Sequence, residues 1–288
     1  MGSVIPIVLA GLAVLLAWVA PGVLARQRRL RRAPRAALVV WQAVTVGGIL
    51  AALAAAPAAV PLLLGGADAA AHLEPVAAAA VLSGAVLARL LWKGHDVGTR
   101  LRRVRARHRE LVDVVGSPSA DGADERVRVL QHPTPTAYCI PGRQARVVLS
   151  QGVLDALPAD QLAAVVAHEH AHLRGRHDLL LEFFSVVHEA VPGPLRNESA
   201  LTEVRLLIEA LADRAAARRS GEVATARALL ALAEGRTPDA ALGAGTTAPI
   251  RLRLLADGPP PPALSAVAYA MATLAAALPV ILLAVAWS

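Results

Sequence analysis

Four long apolar runs constrain this chain more than any other feature of its sequence. They cover residues 4–25, 36–64, 75–92 and 262–287, and each contains few or no charged side chains. A helix of about 20 apolar residues spans the hydrocarbon core of a bilayer. The sequence therefore predicts a mostly α-helical membrane protein with four transmembrane helices. For the third run we also weigh a buried core helix, since this run is short and contains Arg89.

Basic residues orient the predicted spans. Six arginines lie between Arg26 and Arg35, and a second basic cluster follows the third run, from Lys93 to Arg109. The loop 65–74 contains Asp68 and Glu74 but no lysine or arginine. The positive-inside rule then predicts a cytoplasmic region 94–261, with both termini outside. The juxtamembrane clusters explain the net charge of +7 and exclude direct nucleic-acid binding as the leading interpretation.

The source is expected to be bacterial, since Lys93 is the only lysine among 29 basic residues and alanine is abundant. This composition is typical of GC-rich genomes, and together with the four predicted spans it leads us to expect a multi-pass protein of the bacterial inner membrane. Cys139 is the only cysteine, so neither an intrachain disulfide nor a cysteine metal cluster can form. A reducing, cytosolic location of the soluble part agrees with this.

The predicted organisation has three parts: residues 1–93 with three spans, a cytoplasmic domain at 94–261, and a fourth span at 262–288. Within the domain, the patterns predict a helix over 95–115, a loop over 116–124, and a small β-sheet from strands 126–131, 136–140 and 145–150. Helices are expected over 158–174, 177–191, 199–219 and 222–233. Residues 235–262 are rich in Gly, Pro and Thr and are expected to be loop and linker.

The predicted helix 158–174 contains the sequence H-E-x-x-H. His168 and His172 lie one turn apart on the same helical face, so both imidazoles can reach one metal ion. Glu169 follows the first histidine and can act as general base on a water molecule. A catalytic zinc site takes three protein ligands and keeps one position for water, so a third ligand is needed downstream. A histidine-rich surface helix is the structural alternative.

Glu209 is the preferred third ligand because Asp213 lies one turn further along the same predicted helix. Asp213 can accept a hydrogen bond from the outer ring nitrogen of a ligand histidine and fix its orientation. Glu203 and Glu198 are the alternatives for the third ligand.

The expected reaction is peptide hydrolysis, with Glu169 taking the proton of the attacking water and passing it to the leaving amine. The oxyanion needs a further donor, and Arg205 and His177 are the candidates. A surface arginine and a histidine at a helix start are their structural alternatives.

Residues 136–142, 147–154, 165–178 and 209–213 resemble membrane-bound gluzincin peptidases. One similar group is the BlaR/MecR-type membrane metallopeptidases, with three spans, a cytoplasmic zinc domain and a fourth span. The other is the HtpX-like and prenyl-protein (CaaX) proteases, with a similar proline-glycine turn and E-x-x-x-D motif. The resemblance implies an α+β zincin-like (gluzincin) domain. It implies Zn²⁺ bound by His168, His172 and Glu209, with Glu169 as the base and Asp213 orienting a ligand.

Topology favours the BlaR/MecR-type likeness, because the apolar stretch 179–191 is too short to form a membrane hairpin between His172 and Glu209. The chain departs from that group in ending at Ser288 without an extracellular penicillin-binding domain, which argues against antibiotic sensing by this chain alone. In the similar families the substrate pairs with a sheet edge above the zinc. Residues 145–150 are the expected edge strand here.

Three functions are compared. The first is regulated cleavage of a cytoplasmic or membrane-proximal protein, and the resemblance adds a transcriptional repressor as a candidate substrate. The second is quality control of membrane proteins, as in HtpX-like proteases. The third is a non-catalytic membrane scaffold with a structural metal, which the presence of Glu169 disfavours, since a structural site needs no general base.

Overall fold

The computed structural model describes residues 4–64, 69–118, 124–193, 196–234 and 247–288. Parts of the predicted loops 65–74, 116–124 and 235–262, among them Asp68, lie outside the described residues, whereas Ala69–His72 forms a 3₁₀ helix. The chain forms two compact units. The first contains Met1–Val97, Phe183–Val204 and Pro260–Ser288, and the second contains Gly98–Glu182 and Arg205–Pro259.

Four of the described helices are long and apolar enough to cross a membrane, judged by length and composition. They are α1 (Ile5–Arg26), the Pro34–Leu64 segment made of α2 (Pro34–Ala59) and α3 (Pro61–Leu64), α4 (Leu73–Val115) and α11 (Pro262–Ala286). A π-helical stretch, Leu15–Val19, interrupts α1, and Arg28–Arg32 forms a 3₁₀ turn after it. This confirms the four predicted apolar helices.

Small residues allow the helices of the first unit to pack closely. Residues of α1, α2 and α11 share a core that includes Leu9 and Ala51, both fully buried. A Cβ on Gly47 of α2 would lie 2.2 Å from the carbonyl oxygen of Ala275 in α11, so only glycine fits at this crossing. Ser83 of α4 donates a hydrogen bond to the carbonyl oxygen of Ala52 at 2.7 Å.

The second unit contains a four-stranded mixed sheet in the order β1-β2-β4-β3. The strands are β1 (Ser117–Pro118), β2 (Val127–Leu130), β3 (Ala137–Ile140) and β4 (Arg146–Ser150). β2 and β4 are parallel, whereas β3 runs antiparallel to β4. The expectation that 145–150 forms the sheet edge is therefore wrong. β4 lies between β2 and β3, and β3 is the edge strand on that side of the described sheet.

Helices cover both faces of this sheet. α5 (Gln151–Ala156), α6 (Ala159–Arg174) and α9 (Glu222–Glu234) supply Val153, Val165 and Ala228 to a core with the inward side chains of β2, β3 and β4. On the opposite face, Val112 of α4 packs against Ile140 and Val148. α6 therefore packs directly against one face of the sheet. The remaining α-helices of the described residues are α7 (His177–Ala190), α8 (Glu198–Ser220) and α10 (Ala248–Ala256).

Two predicted boundaries differ from the structure. The third apolar run and the arginine-rich helix after it form one continuous helix, α4, which passes through residue 93 without a break. The predicted linker contains α10, which was not expected. Pro249 stands in the first turn of α10, where its fixed φ suits a helix start. Gly and Pro in this segment therefore flank a helix rather than exclude one.

Candidate metal centre

The three predicted ligands lie together in the second unit. α6 carries His168 and His172 on one face, and α8 carries Glu209. The two Nε2 atoms of the histidines are 3.0 Å apart. Glu209 Oε2 lies 3.5 Å from His168 Nε2, and Glu209 Oε1 lies 3.5 Å from His172 Nε2. One atom from each residue falls within 4.8 Å of the others, so the three can hold a single metal ion.

The donor set fits zinc. Tetrahedral zinc with bonds of about 2.0–2.2 Å requires ligand atoms roughly 3.3–3.5 Å apart, close to the separations found here. The outer nitrogen of His168, Nδ1, lies 3.0 Å from Asp213 Oδ1. An ionised carboxylate only accepts hydrogen bonds, so His168 Nδ1 carries a proton, and Nε2 is the ring nitrogen left to bind a metal once its own proton is released.

A buried guanidinium holds Asp213 in this position. Arg251 of α10 donates from Nε to Asp213 Oδ2 at 2.8 Å and from Nη2 to Oδ1 at 2.6 Å. Its third nitrogen, Nη1, lies 3.0 Å from Glu209 Oε2. Asp213 is 2% exposed and Arg251 is 8% exposed, so this charge pair is shielded from water. Arg251 therefore contacts both Glu209 and the carboxylate that orients His168.

His172 is oriented by a second imidazole instead of a carboxylate. His177, at the start of α7, has its Nδ1 atom 3.0 Å from His172 Nδ1. If His172 Nε2 binds a metal, its Nδ1 carries the proton and donates to His177 Nδ1. Gly175 makes room for this ring, because a Cβ there would lie 2.4 Å from His177 Nε2. The turn Gly175–His177 therefore requires glycine at position 175 to leave space for the His177 imidazole.

The pKa values within the cluster show which proton a metal must displace. Burial acts to lower the pKa of His168, but its bonds to Asp213 and Glu209 outweigh burial and raise it to about 10. Burial lowers the pKa of His172 to about 4. Burial acts to raise the pKa of Glu209, but His168 and Arg251 lower it to about 2. At neutral pH, His168 is therefore the one ligand of the three that must lose a proton before a metal binds.

Glu169 is almost fully buried beside the edge strand. Burial raises the pKa of its carboxyl group, which favours proton uptake at neutral pH. Burial, followed by the charge of the nearby Glu169 carboxylate, raises the pKa of the Cys139 thiol on β3. The predicted base thus lies near the Cys139 side chain of β3.

The other predicted residues have different surroundings. Arg205 lies one turn before Glu209 with an exposed side chain, whereas Arg251 contacts the Glu209 carboxylate. His177 faces His172 and makes an orienting contact with it, and its contact with an oxyanion stays a prediction. The two alternative third ligands are engaged elsewhere: Glu203 accepts two hydrogen bonds of 2.7 Å from Arg31, and Glu198 lies 3.1 Å from His188.

Arg251 is the residue that the sequence reasoning missed. It follows Asp213 by 38 positions and lies in the segment expected to be a linker. The apolar residues Leu254 and Leu255 after it are buried, and a proline starts the helix. This pattern was the available signal for α10, but nothing in the local sequence indicates that Arg251 faces Asp213.

Comparison with known proteins supports a metallopeptidase. Residues 99–193 match the family model of Peptidase family M48, whose members are metal-dependent and typically use zinc. The matched segment includes His168, Glu169 and His172 and ends before Glu209. No curated protein and no solved structure matches the chain. The match and the ligand geometry therefore point to the same class, a metal-dependent hydrolase of peptide bonds.

Proposed function

We propose that this chain is a membrane-embedded zinc endopeptidase that cleaves a cytoplasmic or membrane-proximal protein. The observation that carries the proposal is the convergence of His168, His172 and Glu209, with the buried Glu169 beside them. Structural metal sites are closed and need no buried carboxyl group of raised pKa. The four apolar helices and the basic residues that follow two of them support insertion in a bacterial inner membrane with the peptidase region inside.

The chain's own residues divide the reaction between them. His168, His172 and Glu209 would hold zinc, which supplies Lewis-acid polarisation of the scissile carbonyl and activates water at neutral pH. Glu169 takes the proton of the attacking water and delivers it to the departing amine. Asp213 and His177 keep the two imidazoles oriented throughout. Arg251 balances the negative charge of Asp213 and Glu209.

The substrate is proposed to pair with β3. Ser150 N donates to Thr136 O, so by antiparallel alternation Tyr138 and Ile140 are also hydrogen-bonded to β4. The peptide groups of Ala137 and Cys139 then face the sheet edge, and Cys139 adjoins Glu169. An extended substrate added at this edge would pass the catalytic base.

The pairing can be tested with a cleaved peptide in which one backbone N–H at a time is N-methylated. Turnover should fall at alternate positions, because only every second N–H of an added strand faces β3. Uniform small effects along the peptide would remove β3 from the substrate site.

The function is tested by comparing protein N-termini in cells that express wild type, Glu169→Gln, or Glu222→Gln. Glu222 is exposed at the start of α9 and serves as the matched control. New N-termini should appear with wild type and the control and be absent with Glu169→Gln. A single regulator, such as a repressor, among the substrates indicates signalling, whereas many membrane proteins indicate quality control. Identical N-termini in all three strains, with zinc bound, would contradict a peptidase.

A further inference from the structure

The two oxygens of the Glu209 carboxylate have different surroundings. Oε2 is 3.0 Å from Nη1 of Arg251 and 3.5 Å from Nε2 of His168. Oε1 is 3.5 Å from Nε2 of His172, and the Arg251 contact is made by the other oxygen. Each oxygen therefore lies near the Nε2 atom of one ligand histidine, and the Arg251 guanidinium contacts Oε2.

A carboxylate placed this way can bind a metal through one oxygen or through both. Binding through both fills one more coordination position, and a catalytic zinc needs that position for water or substrate. The Arg251 guanidinium forms an ion pair with Oε2 at 3.0 Å, and its positive charge offsets the negative charge on that oxygen and makes it a weaker metal ligand. The contact therefore favours coordination through Oε1.

We propose that Arg251 is a positioning residue that restricts Glu209 to one metal-binding oxygen and so keeps a coordination position open. This inference rests on the proposed zinc peptidase function. It differs from a general charge-balancing role, because here Arg251 determines how many oxygens of Glu209 bind the metal and therefore the coordination number of the metal.

Arginine is suited to this role because its guanidinium is a rigid plane with several donors. Two nitrogens are fixed by Asp213, which is itself buried, and this leaves Nη1 in a set direction towards Glu209 Oε2. A lysine at this position would supply one ammonium group and could not keep all three contacts. Arg251→Lys therefore retains the positive charge but loses the planar arrangement of donors that contacts both Asp213 and Glu209.

The experiment uses full-length protein in detergent, loaded with zinc or cobalt(II). Arg251→Lys and Arg251→Gln are compared with wild type and with Arg253→Gln, whose side chain is exposed on the same helix. X-ray absorption counts the oxygen and nitrogen neighbours of zinc, and the visible spectrum of cobalt(II) reports its coordination number. If Arg251→Gln does not fold, Arg251→Lys decides the question.

In both Arg251 variants one oxygen neighbour should be gained, the visible cobalt band should weaken, and turnover should fall about ten- to a hundredfold. Arg253→Gln should match wild type. Unchanged spectra in metal-loaded Arg251→Lys and Arg251→Gln would overturn the inference, even with reduced activity. A wild type that shows the expected spectral difference from the variants but cleaves nothing would contradict the peptidase function and leave the role of Arg251 standing. A wild type that binds no metal would overturn both.

Discussion

The two ligand histidines are supported by two different kinds of partner. His168 is held by Asp213, which is fixed by two hydrogen bonds from Arg251. His172 is held by His177, a neutral imidazole seated against Gly175. The first support is a buried, charged network that joins α6, α8 and α10. The second is a single contact within one turn of chain.

The difference assigns separate tasks to the two supports. The ionised Asp213 carboxylate can only accept a hydrogen bond from His168 Nδ1, so this contact does not depend on a tautomer. The network also contains buried charges, which must stay paired. The imidazole pair depends on a tautomer, because His177 must carry its proton on Nε2 to accept from His172. We therefore expect the charged support to govern stability of the second unit and the neutral support to govern metal affinity.

The largest effect is expected from breaking the charged support. Asp213→Ala leaves Arg251 buried without its bidentate partner, which should lower the free energy of unfolding by about 3–5 kcal/mol. Denaturant or thermal unfolding of the metal-free protein in detergent measures this loss. Asp155→Ala, at an exposed carboxylate bonded to Gln151, is the control and should change stability by less than about 0.5 kcal/mol. Equal stability of the two variants would contradict the claim that the charged support governs the stability of the second unit.

Breaking the neutral support should affect metal binding more than folding. His177→Ala removes the acceptor for His172 Nδ1, so zinc affinity should weaken about 10- to 100-fold. Metal-free stability should stay close to wild type. His177→Gln retains an amide oxygen that can accept the same proton and should recover part of the affinity. The prediction fails if competition titrations give His177→Ala the affinity of wild type.

The charged support should also set the pH dependence of zinc binding. Between about pH 6 and 9, His168 with a pKa of about 10 is protonated, while His172 at about 4 and Glu209 at about 2 are not. Each zinc therefore displaces one proton, and affinity should rise roughly tenfold per pH unit. Asp213→Asn removes the charge that raises the pKa of His168 and should flatten this slope. Equal slopes in the two proteins would show that another group releases the proton.

The smallest effect is expected at the turn that seats His177. A Cβ at position 175 would lie 2.4 Å from Nε2 and 2.7 Å from Cδ2 of His177, so Gly175→Ala should displace the ring and weaken zinc binding several-fold. Gly193→Ala is the matched control, since a Cβ there meets no atom of the described part of the chain within 4 Å. In a His177→Ala background, Gly175→Ala should have no further effect. A further loss of zinc affinity in the double variant would show that Gly175 acts on zinc binding by a route other than the seating of His177.

The sequence predicted those parts of the molecule that local spacing determines. Hydropathy located the four apolar helices, and helical spacing grouped His168 with His172 and Glu209 with Asp213. The strand order could not be read in this way, because parallel pairing of β2 with β4 is a long-range contact that puts β3 at the edge. Arg251 was missed for the same reason, since its role depends on long-range hydrogen bonds to Asp213 of α8 and not on its neighbours in the chain.

The most direct test of the central claim is the zinc content of the full-length protein purified in detergent, measured alongside cleavage of a substrate found from the N-terminal comparison. The account predicts about one zinc per chain in wild type and in Glu169→Gln, cleavage by wild type alone, and loss of both zinc and cleavage in His168→Ala and His172→Ala. Zinc retained in the two histidine variants, or cleavage retained in Glu169→Gln, would contradict the assignment of these residues.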